Sequence, residues 1–514
     1  MKKRLSLTSI AIAILTACGG GGGAGSVGPV SDTAQSPAVQ DGYYREVIGA
    51  IPDLKYVYDS LGGSAMVLDP QSIDMNGDGL DDIVLHFATS AAVASGNGAS
   101  GQNLGNTPMS DRVVILIQQP DGTFLDKTSS IIVGTPSFGG GGGGGRIIDL
   151  NGDGKLDIAY VANQEDGRNQ AVISDNFSQD VVLMSNVDGT YSFKKFGPRA
   201  WNSNVAVGYM NGQAFVTRAD LAGTGIETGG YVSDLSGNIS RSTFTLPQIG
   251  ANATEFYTNS TTSKDATYFI ETGISSRGFG LDGYKYDGAG TWSKLNSLPS
   301  LVNEVATVPF LSYSGNLTSA SVVEYNGRYA LGIGSGSAIN DSCQLRLTPT
   351  SDKTLIFSGG LMYLTNYVLG QTTTISSNQS VVGGLMLFGA KVVGNSIQQV
   401  PLNIDNLHSY DLNVSATACM DVNQDGYDDI VVYSYNNGGK PDVYLNNKSG
   451  GFTYTDLSKF PQGPSNWGSS ARSLLHKFSK SGYSDLLILP SNGLTVGNGA
   501  DSTFKFFKSI APLK

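Results

Sequence analysis

The chain has 514 residues and is 40% hydrophobic, with 15% charged residues and 68 Gly, against usual shares of ~25% charged and ~7% Gly. This composition excludes coiled coils and charge-driven disorder, and it predicts many short strands joined by Gly-, Ser-, Thr- and Asn-rich turns, without long helices. The formal charge of −11 repels phosphate backbones and excludes nucleic acid as a partner, while the three histidines, His86, His408 and His476, are too scattered for a zinc cage, and three cysteines make no disulfide framework.

At the N-terminus, basic Lys2-Lys3-Arg4 precedes an apolar stretch from Leu5 to Leu15 that is too short to span a bilayer. It ends in Leu15-Thr16-Ala17-Cys18, which resembles the lipobox of a bacterial lipoprotein signal. The resemblance implies that residues 1–17 are removed, that Cys18 is lipidated, and that the mature chain carries a charge of −14 once Lys2, Lys3 and Arg4 are gone. A plain export signal with an incidental Cys is the alternative. Residues 18–42 form a Gly/Ser-rich tether that lacks the apolar area to order itself. Gly19 stands where some bacteria place an Asp for inner-membrane retention, so by analogy the lipoprotein belongs to the outer membrane, facing the periplasm or the outside. No later segment has 18 uninterrupted apolar residues, the nearest being Val381 to Gly394.

From residue 43 onwards the repeats are the main signal. Three segments share one template, Asp-x-Asn-x-Asp-Gly-x-x-Asp: Asp74, Asn76, Asp78, Asp82; Asp149, Asn151, Asp153, Asp157; and Asp421, Asn423, Asp425, Asp429. Oxygen side chains at positions one, three, five and nine suit a hard cation such as Ca²⁺, which takes six to eight oxygens. Gly at position six permits the sharp turn. Position seven is Leu80, Lys155 or Tyr427, as expected if only its carbonyl is used. A helix-loop-helix calcium hand needs a carboxylate at position twelve, where Leu85, Tyr160 and Val432 stand. Instead each loop runs into a β-branched and aromatic stretch (from Ile83, Ile158 and Ile430), so the unit reads strand, cation loop, strand. A third strand and a hairpin turn follow each time: from Val113 to Asp121-Gly122 and Phe124, from Val181 to Asp188-Gly189 and Tyr191, and from Val443 to Gly450 and Phe452. Each repeat is thus about four antiparallel strands. Ala91 to Ser110 reads as an inserted surface loop.

These loops and strands resemble FG-GAP/VCBS repeats, as in the calcium-carrying blades of integrin alpha-subunit propellers, over roughly residues 66–198 and 415–457. The resemblance implies an all-β fold, one seven- or eight-bladed β-propeller over residues 43–514, with about three Ca²⁺ sites in inter-strand loops. Asp220 to Thr228 keeps the turn with Ala222 and Thr224 at ligand positions, and the segment from Lys477 to Asp485 starts with Lys, so both read as blades without metal. Further blades are expected at Asn211-Gly212, Asp287-Gly288 leading to Trp292, Asn326-Gly327, and Phe388-Gly389-Ala390.

Several residues have two readings. Gly139 to Gly145 reads as a blade-entry loop or as an anion nest. Cys419 and Cys343 lie in strand-like runs as core thiols or a pair. Trp201, Trp292 and Trp467 fill blades or stack on sugars. His86 points along a strand or acts as a base. For function, the expectation is a lipid-anchored, calcium-stabilised, non-enzymatic binding or adhesion module for an envelope or extracellular protein or glycan. The alternative is a calcium-dependent lyase or hydrolase of extracellular polysaccharide, whose base and acid would have to converge on one cleft.

Overall fold

A computed structural model of the chain describes residues 43–513 apart from 61–64, 90–109, 140–144, 163–177, 200–201, 221–228, 247–253, 259–264, 273–280, 297, 299–307, 311–314, 318–321, 326–327, 332–337, 365–372, 376–380, 406–413, 435–439, 462–470, 479–481 and 491–503. The proposed leader, Cys18, the tether, His408, Trp201, Trp467, the Ala91–Ser110 insertion up to residue 109 and most of the Gly139–Gly145 run lie outside the described residues.

Alternation decides the architecture. In the strand Asp82–Thr89, Ile83, Leu85 and Phe87 feed one hydrophobic cluster while Val84 feeds another; in the neighbouring Ser110–Gln118, Val114 and Leu116 take the first cluster and Val113, Ile115 and Ile117 the second. A sheet buried on both faces must have a neighbour on each side. Seven such clusters occur, and each joins two sheets that are consecutive in sequence, the last returning to the first. That ring of cores is a seven-bladed β-propeller.

Each blade is an antiparallel meander. Blade 1 comprises Ala65–Ile73, Asp82–Thr89, Ser110–Gln118 and Phe124–Asp126, and blade 2 Arg146–Ile148, Asp157–Tyr160, Asp180–Ser185 and Tyr191–Phe196. Blade 3 runs Asn202–Met210, Gln213–Asp220, Gly229–Ser233, Ile239–Thr245, and blade 4 Thr254–Tyr257, Tyr268–Thr272, Leu281–Tyr286, Trp292–Lys294. In blade 5, Ala338–Arg346, Lys353–Leu364, Val381–Val393 and Ser396–Val400 pair in turn; blade 6 follows with Val414–Met420, Asp429–Ser434, Asp442–Asn446 and Phe452–Thr455. Blade 7 has Ala471–His476, Asp485–Pro490 and Lys505–Ser509 from the C-terminal end, and its outer strand is Tyr44–Glu46 from the other end. This closure links residues far apart in sequence, so opening the ring breaks a complete edge of main-chain hydrogen bonds.

First strands of neighbouring blades pack together, as for blades 2 and 3, 3 and 4, 5 and 6, and 7 and 1, so they line the axis. The inner strands of blades 1, 3, 5 and 6 each carry a bulge, which bends them where the ring is narrowest. Arg146 of blade 2 reaches Asp341 of blade 5 at 3.1 Å. Those blades are three apart in a ring of seven, so this ion pair crosses the axis.

Asp220 to Thr228 lies outside the described residues from position 221 onwards; the second strand of blade 3 ends at Asp220, and the connection in that blade that corresponds to the cation loops is the two-residue turn Asn211-Gly212 (φ 52° and 76°). One expectation is corrected here: Asn326 and Gly327 lie outside the described residues, and the strands on either side of them, Val322–Tyr325 and Arg328–Leu331, do not open a blade but extend the sheet of blade 5, Arg328–Leu331 pairing with its long second strand. Phe388-Gly389-Ala390 lies in a blade as expected, in the middle of the third strand of blade 5, Val381–Val393. Among the described residues helices are short, as in Lys55–Ser60 and Thr128–Ile131, and no helix is long and apolar enough to cross a membrane.

Candidate functional site

The template segments connect the inner and second strands of blades 1, 2 and 6, with strands on both sides. In blade 1, Asp74 caps the loop: Gly77 N–H donates to Oδ1 (2.7 Å) and Gly79 N–H to Oδ2 (2.8 Å). Asn76 Oδ1 accepts from Asp78 N–H (2.9 Å), and Asp78 Oδ1 accepts from Leu80 N–H (2.8 Å). The side chains at positions three and five form successive Asx turns, each bonding the backbone two residues ahead, while the first aspartate reaches across the bend to amides further on, and together they curl the chain. Blade 2 repeats them through Asp149 with Gly152 and Gly154, Asn151 with Asp153, and Asp153 with Lys155. Blade 6 does so through Asp421 with Asp425 and Gly426, Asn423 with Asp425, and Asp425 with Tyr427. Positions four and six both have positive φ. Glycine serves at five of those six places, and Gln424 (φ 59°) takes the sixth.

The aspartate at position nine has a second task that the spacing did not disclose. Asp82 is fully buried, its Oδ2 accepting from Met75 N–H and its Oδ1 from Gln118 N–H of the third strand, both at 2.8 Å. Asp157 binds Leu150 and Ser185 in the same way, and Asp429 binds Val422 and Asn446. The carboxylate thus staples the loop to the third strand of its blade. In blade 7, where Lys477 replaces the first aspartate, Asp485 still accepts from the amides of Phe478 and Ser509. The survival of Asp485 in an otherwise worn segment is the sequence signal that could have revealed this role. Burial pushes these carboxyls up, to about 6 for Asp82, Asp157 and Asp485 and about 7 for Asp429, against the downward pull of the amides. Asp74 and Asp78 repel Asp82 and raise it further, as Asp421 and Asp425 do Asp429.

Among the described residues no three carboxylate, imidazole or thiol groups are arranged around one point as a metal would require. The oxygens of positions one, three and five turn mainly onto amides of their own loop, and those of position nine onto the loop and the third strand. The donor set nevertheless fits a hard cation: it is all oxygen, it concentrates mutually repelling carboxylates in one turn, and a carboxylate oxygen that accepts one N–H keeps a second lone pair.

The loops differ most at position five. Asp78 Oδ2 accepts from Asn76 Nδ2 (3.0 Å). Asp153 Oδ2 accepts from Ser185 Oγ (2.8 Å) and from Asn151 Nδ2 (3.3 Å). Asp425 Oδ2 accepts from Asn423 Nδ2 (3.2 Å) and pairs with the ammonium of Lys448 (3.2 Å).

The remaining candidates resolve structurally. His86 is fully buried, with Nε2 2.8 Å from Asp111 Oδ2 and its ring against Phe138 and Tyr160, inside the packing between blades 1 and 2. Trp292 packs on Tyr286 and Phe256 in blade 4. Cys343 and Cys419 form a disulfide between the inner strands of blades 5 and 6. His476 bonds Asp81 of the blade 1 loop (2.8 Å), which holds that carboxyl below the usual range.

Residues 74–160 match the FG-GAP-like repeat family model. No curated protein matches the chain. Similar solved structures include BBS1N in complex with ARL6DN, 9% identical, covering 88% of this chain and 95% of that one with a TM-score of 0.37. A periplasmic gluconolactonase from Pseudomonas aeruginosa is 12% identical, with coverages of 73% and 81% and a TM-score of 0.34. A rhamnogalacturonan lyase from Bacillus licheniformis is 11% identical, with coverages of 86% and 71% and a TM-score of 0.36. Likeness at this level carries no argument about function.

Proposed function

We propose that this protein is a lipid-anchored, calcium-stabilised propeller of the bacterial outer membrane that presents a rigid, non-enzymatic binding surface to an envelope or extracellular protein or glycan. The observation that supports the calcium reading is the recurrence, in blades 1, 2 and 6, of one Asx-turn scaffold that gathers acidic oxygens in a single bend. Asp74, Asn76, Asp78, Asp82 and the Leu80 carbonyl would hold one ion. Asp149, Asn151, Asp153, Asp157 and the Lys155 carbonyl would hold a second, and Asp421, Asn423, Asp425, Asp429 and the Tyr427 carbonyl a third. The ion supplies positive charge where like-charged groups otherwise repel, so its effect is on rigidity. Anchoring at Cys18 follows from the Leu15-Thr16-Ala17-Cys18 signal, and the acidic tethered chain suits a surface held away from anionic polymers.

Thermal unfolding tests this reading. For a Kd near 10⁻⁴ M, 1 mM calcium stabilises by about 1.4 kcal/mol per site, or about 4 kcal/mol for three sites. A domain this large loses about 1 kcal/mol per degree near its midpoint, so Tm should rise by about 4 °C over the chelator-treated protein. An identical Tm in calcium and in chelator would contradict the proposal.

A further inference from the structure

Resting on the calcium reading above, we infer that the three loops are graded, and that Lys448 makes the blade 6 loop the weak, calcium-responsive one by holding a tethered ammonium on its position-five carboxylate.

The hairpin between the third and outer strands gives the comparison. Gln118, Ser185 and Asn446 are equivalent, because each offers its N–H to the position-nine aspartate of its own blade. Two residues further on stand Pro120, Val187 and Lys448. Only the third can carry charge. Lys448 has φ 62°, a left-handed conformation that few non-glycine residues adopt. Its ammonium lies 3.2 Å from Asp425 Oδ2 and 5.4 Å from the centre of the Tyr427 ring. The side chain therefore spans positions five and seven of the loop. In blade 2 the corresponding carboxylate, Asp153, accepts from the neutral donors Ser185 Oγ and Asn151 Nδ2 among the described residues, the ammonium of Lys155 acting on Asp188 of the hairpin instead, and in blade 1 Asp78 meets Asn76 Nδ2.

A second ammonium adds to the effect. Lys477, which replaces the first aspartate in the blade 7 segment, donates to Gln424 Oε1 at 3.0 Å, while the amide nitrogen of Gln424 donates to the Gly482 carbonyl. The blade 6 loop is thus tied to blade 7 and faces two lysines. A divalent ion entering it must displace one ammonium from Asp425 and accept the field of the other. At about 6–8 Å in a water-like dielectric, removing one positive charge should tighten divalent binding about two- to fourfold at ~0.1 M salt. The exposure of Lys448 keeps the effect in that range. Calcium should therefore saturate blades 1 and 2 first and stiffen the joint between blades 6 and 7 at higher concentration.

Terbium(III) luminescence excited through tyrosine reports the blade 6 loop through Tyr427 at position seven and the blade 2 loop through Tyr191, whose hydroxyl donates to the Leu156 carbonyl (3.3 Å), so the blade 6 signal is isolated by difference. The component lost in Tyr427→Phe reports blade 6. Calcium displacement of that component would be measured on the full chain for the wild type, Lys448→Asn and Lys448→Arg. Asn suits the left-handed backbone and removes the charge, whereas Arg keeps it. The expected result is an about two- to fourfold lower calcium midpoint in Lys448→Asn at ~0.1 M salt, a wild-type midpoint in Lys448→Arg, no change in the remaining luminescence, and a gap that closes in 1 M KCl. An unmoved Tyr427 component in Lys448→Asn, with calcium still displacing terbium, would overturn the role of Lys448 and leave the calcium reading standing. Absence of any calcium-displaceable terbium signal would overturn both.

Discussion

Replacing Asp485 by Asn separates the stapling role of position nine from any ion, because the blade 7 segment begins with Lys477 and lacks the acidic template. The carboxylate accepts from the amides of Phe478 and Ser509, and the residue is buried. An Asn oxygen can satisfy one of these donors and its NH₂ group cannot satisfy the other, so a buried amide is left unpaired at a cost of about 1–3 kcal/mol. The pH dependence is more diagnostic. Burial raises the folded-state carboxyl from 3.8 to about 6, so the folded protein binds this proton more tightly than the unfolded chain. The contribution is therefore fully present below about pH 4 and is lost as pH rises through about 6, a change of about 3 kcal/mol for two pKa units. Asn does not titrate. The stability gap between wild type and Asp485→Asn should be widest near pH 4.5 and shrink by about 2 kcal/mol or more at pH 7.5. Urea unfolding of both proteins in chelator at pH 4.5, 6 and 7.5 measures this, and other titrating groups cancel in the difference. A gap that stays constant across the range would refute the assigned burial of an unfavourable charge, and no gap at any pH would refute the staple.

Two further outcomes follow from other parts of the molecule. The Cys343–Cys419 disulfide closes a loop across a sequence separation of 76 residues, for which chain entropy gives about 4 kcal/mol. The double Ser variant should unfold at clearly lower urea, and the oxidised wild type should run faster than the reduced protein on a denaturing gel; equal mobility would show that the bond is not formed. Cys18→Ser should move the protein from the membrane fraction to the soluble envelope fraction and abolish incorporation of labelled fatty acid, whereas unchanged fractionation would contradict the anchor.

Much of this architecture was legible because one physical rule repeats. Where an Asx-turn loop precedes a β-branched strand and a Gly-containing hairpin follows, as around Asp74, Asp149 and Asp421, spacing alone places all four strands. Blade 4 was legible from Asp287-Gly288, since a two-sided apolar pattern with such a turn admits few other structures. The failures also have causes. The strands flanking Asn326-Gly327 pair with each other, but their membership depends on the free edge of the long second strand of blade 5, which is tertiary information. Tyr44–Glu46 is too short to show a period, and only its pairing with the last strand gives it meaning. Asp429 was read as a ligand by position. Its bonds to Val422 and Asn446 join strands through a residue that no local pattern connects. His86 was legible as a strand residue, but its partner Asp111 lies across an insertion.

The most direct test is the number of calcium ions bound per chain at saturation, by equilibrium dialysis of the full protein. Three are expected, falling to two in each of Asp74→Asn, Asp149→Asn and Asp421→Asn with the far-ultraviolet spectrum unchanged. Binding of no calcium, or a stoichiometry indifferent to all three substitutions, would contradict it.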